Sequence, residues 1–135
     1  MFKKSTLIVL FTASLFTACK DKKEEECVAP AVEKNIVGTW QAYLSVLGDD
    51  AIGPFPLTFT ADGKIIDEDN KLAEISGQDP GDDVTLSWKK TADGIEYTES
   101  SDFGEISTEL EVTTNECNHI VLGDGILDFE LKDKK

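Results

Sequence analysis

The chain has 135 residues, which fits one folded domain, and 40% of them are hydrophobic, which is enough for a core. Asp and Glu number 27 against 13 lysines, no arginine is present, and the formal net charge is −14. Such a charge repels phosphate, so we expect no nucleic-acid partner. The chain has no run of about 20 apolar residues, so we expect no transmembrane helix.

The first 18 residues have the three-part layout of a secretory signal peptide. Lys3 and Lys4 supply a positive start, residues 6–18 are mainly apolar, and the run closes on small residues. The alternative is a buried N-terminal helix. That alternative gives no role to the two lysines or to the abrupt change from apolar to charged residues after Cys19.

The segment Leu15-Phe16-Thr17-Ala18-Cys19 resembles the lipobox of bacterial lipoproteins, with Phe16 where leucine is usual. The resemblance implies that residues 1–18 are removed and that Cys19 carries acyl chains such as palmitate. Because two or more acyl chains anchor a protein firmly, it also implies attachment to a membrane through the covalent lipid on Cys19.

Residues 19–32 begin with a charged run, "CKDKKEEE", that has nothing to bury and is expected to act as a hydrated tether. One interpretation is a solvated charge run with no further meaning. The other is that the run resembles the export signal of surface lipoproteins in some Gram-negative bacteria. We favour the outer membrane, with the cell surface as the finer prediction.

Two cysteines remain, Cys27 and Cys117. An exported protein meets an oxidising compartment, so a disulfide between them is one prediction, and two unpaired thiols are the alternative. The chain has no Cys-x-x-Cys and one histidine, so no metal site and no cofactor are expected.

From Ile36 onward, three long runs alternate apolar and polar residues, at 40–47, 84–90 and 105–114. This period of two predicts strands with one buried face. The apolar faces consist of Trp40, Ala42, Leu44 and Val46; Val84, Leu86 and Trp88; and Ile106, Leu110 and Val112. Shorter strands are predicted at 56–60, 64–68, 71–76, 95–100, 118–122 and 126–132, and a helical turn at 32–36.

Asp-Gly pairs separate several of these strands, in "TADG" at 60–63 and 91–94 and in "GDG" at 123–125. Asp-Gly closes tight hairpins because both residues accept positive φ. The two near copies fit either an internal duplication or one turn chemistry used twice. About eight or nine short antiparallel strands predict an up-and-down barrel or a sandwich, and a barrel leaves no exposed edge.

Three segments in order, "NIVGTWQAY" at 35–43, "LTFTADGKI" at 57–65 and "ILDFELK" at 126–132, resemble small bacterial lipocalin-like domains. The resemblance implies an all-β fold for residues 33–135, a small antiparallel up-and-down β-barrel of about eight strands. It also implies that Gly38 permits a tight start and that Trp40 plugs the closed end. A basic residue from the last strand usually covers that tryptophan, and here Lys132 or Lys134 would have to do so.

The same resemblance implies a non-catalytic protein that binds a small apolar molecule inside the barrel. The inward candidates are Leu44, Phe59, Leu86, Trp88, Tyr97 and Leu110, with Phe129 as a further one. Each also fits plain core.

The alternative function is a filled barrel whose Asp- and Gly-rich loops bind another protein, as an inhibitor or assembly accessory; the sequence does not identify that partner. No catalytic motif appears, and the acidic runs 67–70 and 79–83 do not match a calcium loop.

Overall fold

The computed structural model describes residues 26–79 and 83–135. They form eight strands and two short helices. In chain order these are α1 Val32–Asn35, β1 Gly38–Val46, β2 Ile52–Phe59, β3 Lys64–Ile66, α2 Lys71–Ile75, β4 Thr85–Lys90, β5 Gly94–Ser101, β6 Gly104–Glu116, β7 His119–Gly123 and β8 Leu127–Lys132.

The eight strands form one closed antiparallel barrel in which every strand pairs with its neighbours in sequence. Strand β8 closes the sheet by pairing with β1, from Gln41 opposite Lys132 to Val46 opposite Leu127. The predicted all-β, up-and-down barrel of about eight strands is therefore confirmed. Because β1 pairs with β8, neither terminal strand of the barrel presents its edge to solvent as a template for aggregation.

Period-two alternation explains which side chains form the core. On β1, Trp40, Ala42 and Leu44 are buried while the residues between them are only partly covered. Strand β5 turns Ile95 and Tyr97 inward in the same way. Because every strand contributes its inward face to one closed interior, these faces merge into a single hydrophobic cluster.

The prediction of a strand at 71–76 is wrong, because Lys71–Ile75 form helix α2. The carboxylate of Asp67 accepts the backbone N–H groups of Lys71 at 3.1 Å and Leu72 at 2.8 Å. It thereby satisfies donors that the first turn of a helix leaves unpaired. Adjacent Leu72 and Ala73 are both buried, which a strand with one wet face would not allow. The helical turn predicted at 32–36 is present as α1.

Strand β6 corrects a second expectation, that Ile106 shares a buried face with Leu110 and Val112. Leu110 is 1% exposed and Val112 is partly buried, but Ile106 is 66% exposed. The reason is register: β7 pairs with β6 only from Glu111 onward, whereas β5 pairs with it from Gly104. The first half of β6 therefore rises past the neighbouring strand and lifts Ile106 above the core.

The barrel has two distinct ends. The proximal end, where the N-terminal segment enters, carries α1 and the turns after β2, β4 and β6. The two "TADG" segments lie there as hairpin turns. In the first, the Thr60 hydroxyl donates a hydrogen bond to Asp62 Oδ1; in the second, the Thr91 hydroxyl accepts the Gly94 N–H at 3.1 Å. The distal end carries the β1–β2 loop, the β3–β4 connection with α2, the β5–β6 hairpin and the β7–β8 turn.

Candidate functional site

All six residues predicted to line a ligand cavity lie in the barrel interior. Each is at most 8% exposed, and all belong to the one core cluster: Leu44, Phe59, Leu86, Trp88, Tyr97 and Leu110. The further candidate Phe129 lies there too, with its ring 6.0 Å from that of Tyr97 between centroids. The structure thus brings the predicted residues together as a packed core.

The interior has almost no free space. Its cavity, bounded among others by Leu57, Leu72, Leu122 and Phe129, has a volume of about 10 Å³. One water needs about 10–15 Å³ of such space, so the cavity holds at most a single water. Leu72 closes it from the distal side, because α2 places this side chain over the mouth of the barrel.

The proximal end is closed by Trp40, as the resemblance implies. Trp40 is fully buried, and its indole N–H donates to the carbonyl oxygen of Ile36 at 2.8 Å. The ammonium of Lys134 lies 5.4 Å from the ring centroid of Trp40 and donates to the Asn35 carbonyl at 2.7 Å. Gly38, at φ +139°, leaves room for this lysine, since a Cβ there would lie 2.8 Å from Lys134 Cε.

Lys132, the other residue considered for that position, is used elsewhere. Its ammonium lies 5.1 Å from the ring centroid of Tyr43 and 3.0 Å from Glu130 Oε1. Glu130 also contacts Nε2 of His119 at 2.9 Å. The hydrogen bond from Lys132 is the main reason that the pKa of Glu130 lies below its ordinary value.

Cys27 and Cys117 are joined by a disulfide with their Cα atoms 6.0 Å apart. Beside it, the Asn35 amide donates to Asn115 Oδ1 at 2.7 Å and to the Glu116 carbonyl at 2.8 Å. The Asn115 amide donates in turn to the Pro30 carbonyl at 2.9 Å. This asparagine pair was missed by sequence reasoning, because its members are 80 residues apart and nothing local marks them. Together these contacts fix the segment before β1 against the β6–β7 turn.

A polar group lies beneath α2 at the distal end. Glu99 is 6% exposed, and its Oε2 accepts hydrogen bonds from Ser76 Oγ at 2.8 Å and the Tyr97 hydroxyl at 3.1 Å. Its other oxygen has no hydrogen-bond partner among the described residues. Burial, followed by the nearby Glu99 carboxylate, raises the pKa of Tyr97 far above its ordinary value. Glu99 was missed, although the alternation along β5 places it on the same inward face as Ile95 and Tyr97.

Large apolar side chains are exposed around the distal end. The β1–β2 loop exposes Leu47 by 72% and Ile52 by 46%, and the β7–β8 turn exposes Ile126 by 57%. In the β5–β6 hairpin, Phe103 is 87% and Ile106 is 66% exposed. We call these five residues the distal rim. Exposed apolar residues collected at one end of a domain indicate an interaction surface more strongly than scattered ones.

An acidic cleft of about 680 Å³ lies on the outer face of β6, between the β4–β5 turn of the proximal end and the β7–β8 turn of the distal end. Its carboxylates are Asp93, Glu109, Glu111, Asp124 and Asp128. In the described part of the chain, no group of three or more His, Cys, Asp or Glu side chains has the arrangement to hold a metal ion. The acidic run at 67–70 supplies the helix-capping Asp67.

Comparison of the chain with family models, with curated proteins and with solved structures found no match. The closed eight-stranded barrel is consistent with a lipocalin-like fold. Within residues 26–79 and 83–135, none of the helices has both the length and the apolar character needed to cross a bilayer. The predicted lipidation site Cys19 and the predicted signal peptide lie outside the described residues.

Proposed function

We propose that the chain is a non-catalytic binding module of the cell envelope, whose filled barrel presents its distal end to a partner protein. One observation carries the proposal: the interior cavity of about 10 Å³ has room for at most one water. Small-molecule sites are usually several hundred Å³ in volume. A filled interior favours binding on the outside of the barrel, and the apolar distal rim is the surface suited to it.

Binding of a small apolar molecule in the interior, the first function implied by the sequence, has less support from this geometry. A ligand would have to displace Leu72, which is 3% exposed, together with the helix that carries it. It would also pass close to the buried carboxylate of Glu99, and an apolar group placed there would desolvate that charge further.

The proposed anchor agrees with the direction of the barrel. The disulfide holds Cys27 at the proximal end, so a lipid on Cys19 would tie that end to the membrane. The distal end would then face away from the bilayer. Replacing Cys19 with serine should move the protein from the membrane fraction to the soluble fraction or leave it unprocessed. A Cys19→Ser protein that fractionates and migrates like wild type contradicts the lipid anchor.

Native mass spectrometry of the protein taken from its own cells tests the filled barrel. The protein is purified without denaturation and measured before and after mild unfolding. We expect the mass of the polypeptide with its covalent lipid, and no further component. A stoichiometric small molecule that is released on unfolding would overturn the proposal and favour an internal ligand. Protein whose lipid has been removed enzymatically is the control for lipid carried by the anchor.

A further inference from the structure

The distal rim is held in place by contacts between loops. The backbone N–H of Leu47 donates to the carbonyl oxygen of Ile126 at 2.7 Å, which joins the β1–β2 loop to the β7–β8 turn. The Asp124 carboxylate accepts the N–H groups of Ile126 at 2.8 Å and Leu127 at 2.7 Å, which fixes the second turn. These bonds present Leu47 and Ile126 to solvent side by side.

Leu47 occupies a backbone conformation that rarely suits leucine. Its φ is +55°, and it is 72% exposed, so no packing of its side chain offsets the strain. A non-glycine residue in this region of backbone conformation is strained. In the part of the chain that the structure describes, the other non-glycine residues with positive φ are Asn70 and Asp133, types that tolerate it. Backbone strain of this kind clusters at functional sites, which supports Leu47 as a contact residue of the distal rim.

The charge around the rim indicates the chemistry of that partner. Among the described residues of the four distal connections, Lys71 is the one lysine. The exposed carboxylates of these connections include Asp49, Asp50, Glu68, Asp69, Glu74, Asp83, Asp102 and Asp124. The acidic cleft extends this negative charge along the outer face of β6, from Asp124 in the β7–β8 turn to Asp93 in the β4–β5 turn. Complementary potential steers and selects partners, so a partner of this surface is expected to carry positive charge.

The same charge argues against two other occupants. A second copy of the chain would bring its own carboxylates against these, since the chain carries a net charge of −14. An anionic membrane surface would be repelled likewise. The membrane that holds the proposed anchor would in addition lie at the opposite end of the barrel.

We propose that the distal rim, with Leu47, Ile52, Phe103, Ile106 and Ile126 surrounded by carboxylates, docks a polypeptide segment of a partner protein that combines apolar side chains with lysines or arginines. The apolar side chains of the segment pack on the rim, and its cations pair with the surrounding carboxylates. This inference rests on the proposed function and specifies the surface and partner class.

The test uses the lipidated protein in nanodiscs of zwitterionic lipid, with empty nanodiscs as the blank. The probe is a short fluorescent peptide of alternating lysine and leucine, compared with glutamate–leucine and lysine–serine peptides. Phe103→Ser removes a rim residue that is 87% exposed, and Val28→Ser removes one at the proximal end that is 88% exposed. Because both side chains are almost fully exposed, neither change should disturb folding.

A second pair of variants separates local charge from net charge. Asp102→Asn with Glu105→Gln neutralises two carboxylates beside Phe103, and Glu26→Gln with Glu116→Gln neutralises two near the disulfide. Both double variants change the net charge equally. We expect the lysine–leucine peptide to bind best, Phe103→Ser to weaken it about tenfold, and the distal pair to weaken it more than the proximal pair. Val28→Ser should leave it unchanged.

The inference is overturned if Phe103→Ser and Val28→Ser bind the peptide alike, or if the two charge pairs weaken binding equally. Equal binding of the lysine–serine peptide also overturns it, because apolar contact would then contribute nothing. Self-association that Phe103→Ser abolishes would identify a second copy as the occupant and would likewise overturn it. If the peptide test fails but Phe103 contacts a protein in cells, the proposed chemistry of the partner is wrong and the proposed function still holds.

Discussion

At the scale of single residues, the two ends of the barrel differ in how their buried polar groups are satisfied. At the proximal end, Trp40 and Asn35 have hydrogen-bond partners, and Lys134 joins them through the indole ring and the Asn35 carbonyl. At the distal end, Glu99 keeps one buried oxygen without a partner in the described structure. Buried groups that lack partners reduce stability, so the proximal end is expected to be the more stable one.

Lys134 should contribute measurably to stability through both of its contacts. Replacing Lys134 with alanine removes the cation above the Trp40 ring and the hydrogen bond to the Asn35 carbonyl. We expect the free energy of unfolding in urea to fall by about 1–2 kcal/mol. Lys135→Ala is the control, because Lys135 contacts Thr39 through its backbone N–H. Equal effects of the two substitutions would show that Lys134 does not hold the proximal end closed.

Tyr97 predicts a loss of stability in alkaline solution. Burial and the Glu99 carboxylate raise the pKa of Tyr97 in the folded protein, whereas the hydroxyl of the same tyrosine ionises near pH 10 in the unfolded chain. Above about pH 10 the unfolded state therefore binds fewer protons, and stability falls with pH by up to about 1.4 kcal/mol per unit from this group. Below that pH the group makes no pH-dependent contribution.

The measurement for Tyr97 is the free energy of unfolding in urea between about pH 9 and pH 12, for wild type and Tyr97→Phe. Both proteins share the titration of every other group, so the difference in slope isolates Tyr97. We expect the variant to have the shallower slope. Parallel curves would mean that the Tyr97 hydroxyl ionises as readily in the folded state as in the unfolded chain.

At the scale of elements, the alternating strands were predictable from sequence and helix α2 was not. Alternation is local information, and it placed Trp40, Leu86 and Leu110 inside. The segment "KLAEI" also fits a strand when read alone, and the carboxylate of Asp67, four and five residues earlier than the N–H groups it accepts, favours the helix. The exposure of Ile106 was equally hidden, since it depends on where β7 begins to pair with β6.

The disulfide between Cys27 and Cys117 is expected to stabilise the barrel through the unfolded state. It joins residues 90 apart in sequence, and in the chain-entropy model closing such a loop contributes about 4–5 kcal/mol. Reduction of the wild-type protein should lower its free energy of unfolding in urea by an amount near this.

The double variant Cys27→Ser/Cys117→Ser supplies the control for reduction. It should match reduced wild type in stability, and reductant should not change it further. If the oxidised and reduced wild-type proteins unfold at the same urea concentration, the bridge does not stabilise the fold.

At the scale of the whole molecule, charge is distributed along the barrel axis. Seven of the eight described lysines lie at or near the proximal end: Lys34, Lys64, Lys89, Lys90, Lys132, Lys134 and Lys135. The distal connections are acidic and carry the exposed apolar rim. The net charge of −14 was visible in the sequence. That the distal carboxylates lie at the opposite end from most of the lysines follows only from the order of the strands in the closed barrel.

The sequence predicts which residues of the candidate site face inward, but not the space between them or the distal rim. The interior candidates were located correctly as inward residues, because inward direction is a property of each strand. Whether they surround a cavity depends on how side chains from all eight strands fill the interior together, which no single segment records. The rim was not predicted, since Leu47, Phe103 and Ile126 belong to separate loops that only the closed barrel brings to one end.

The most direct test of binding outside the barrel is photo-crosslinking in intact cells. The photoreactive amino acid p-benzoylphenylalanine replaces Phe103 in one strain and Val28 in another, two positions of nearly equal exposure at 87% and 88%. We predict a discrete protein adduct from position 103 that is absent from position 28. No adduct from position 103, or the same adducts from both positions, would contradict the central claim that the distal end of this barrel binds a partner protein.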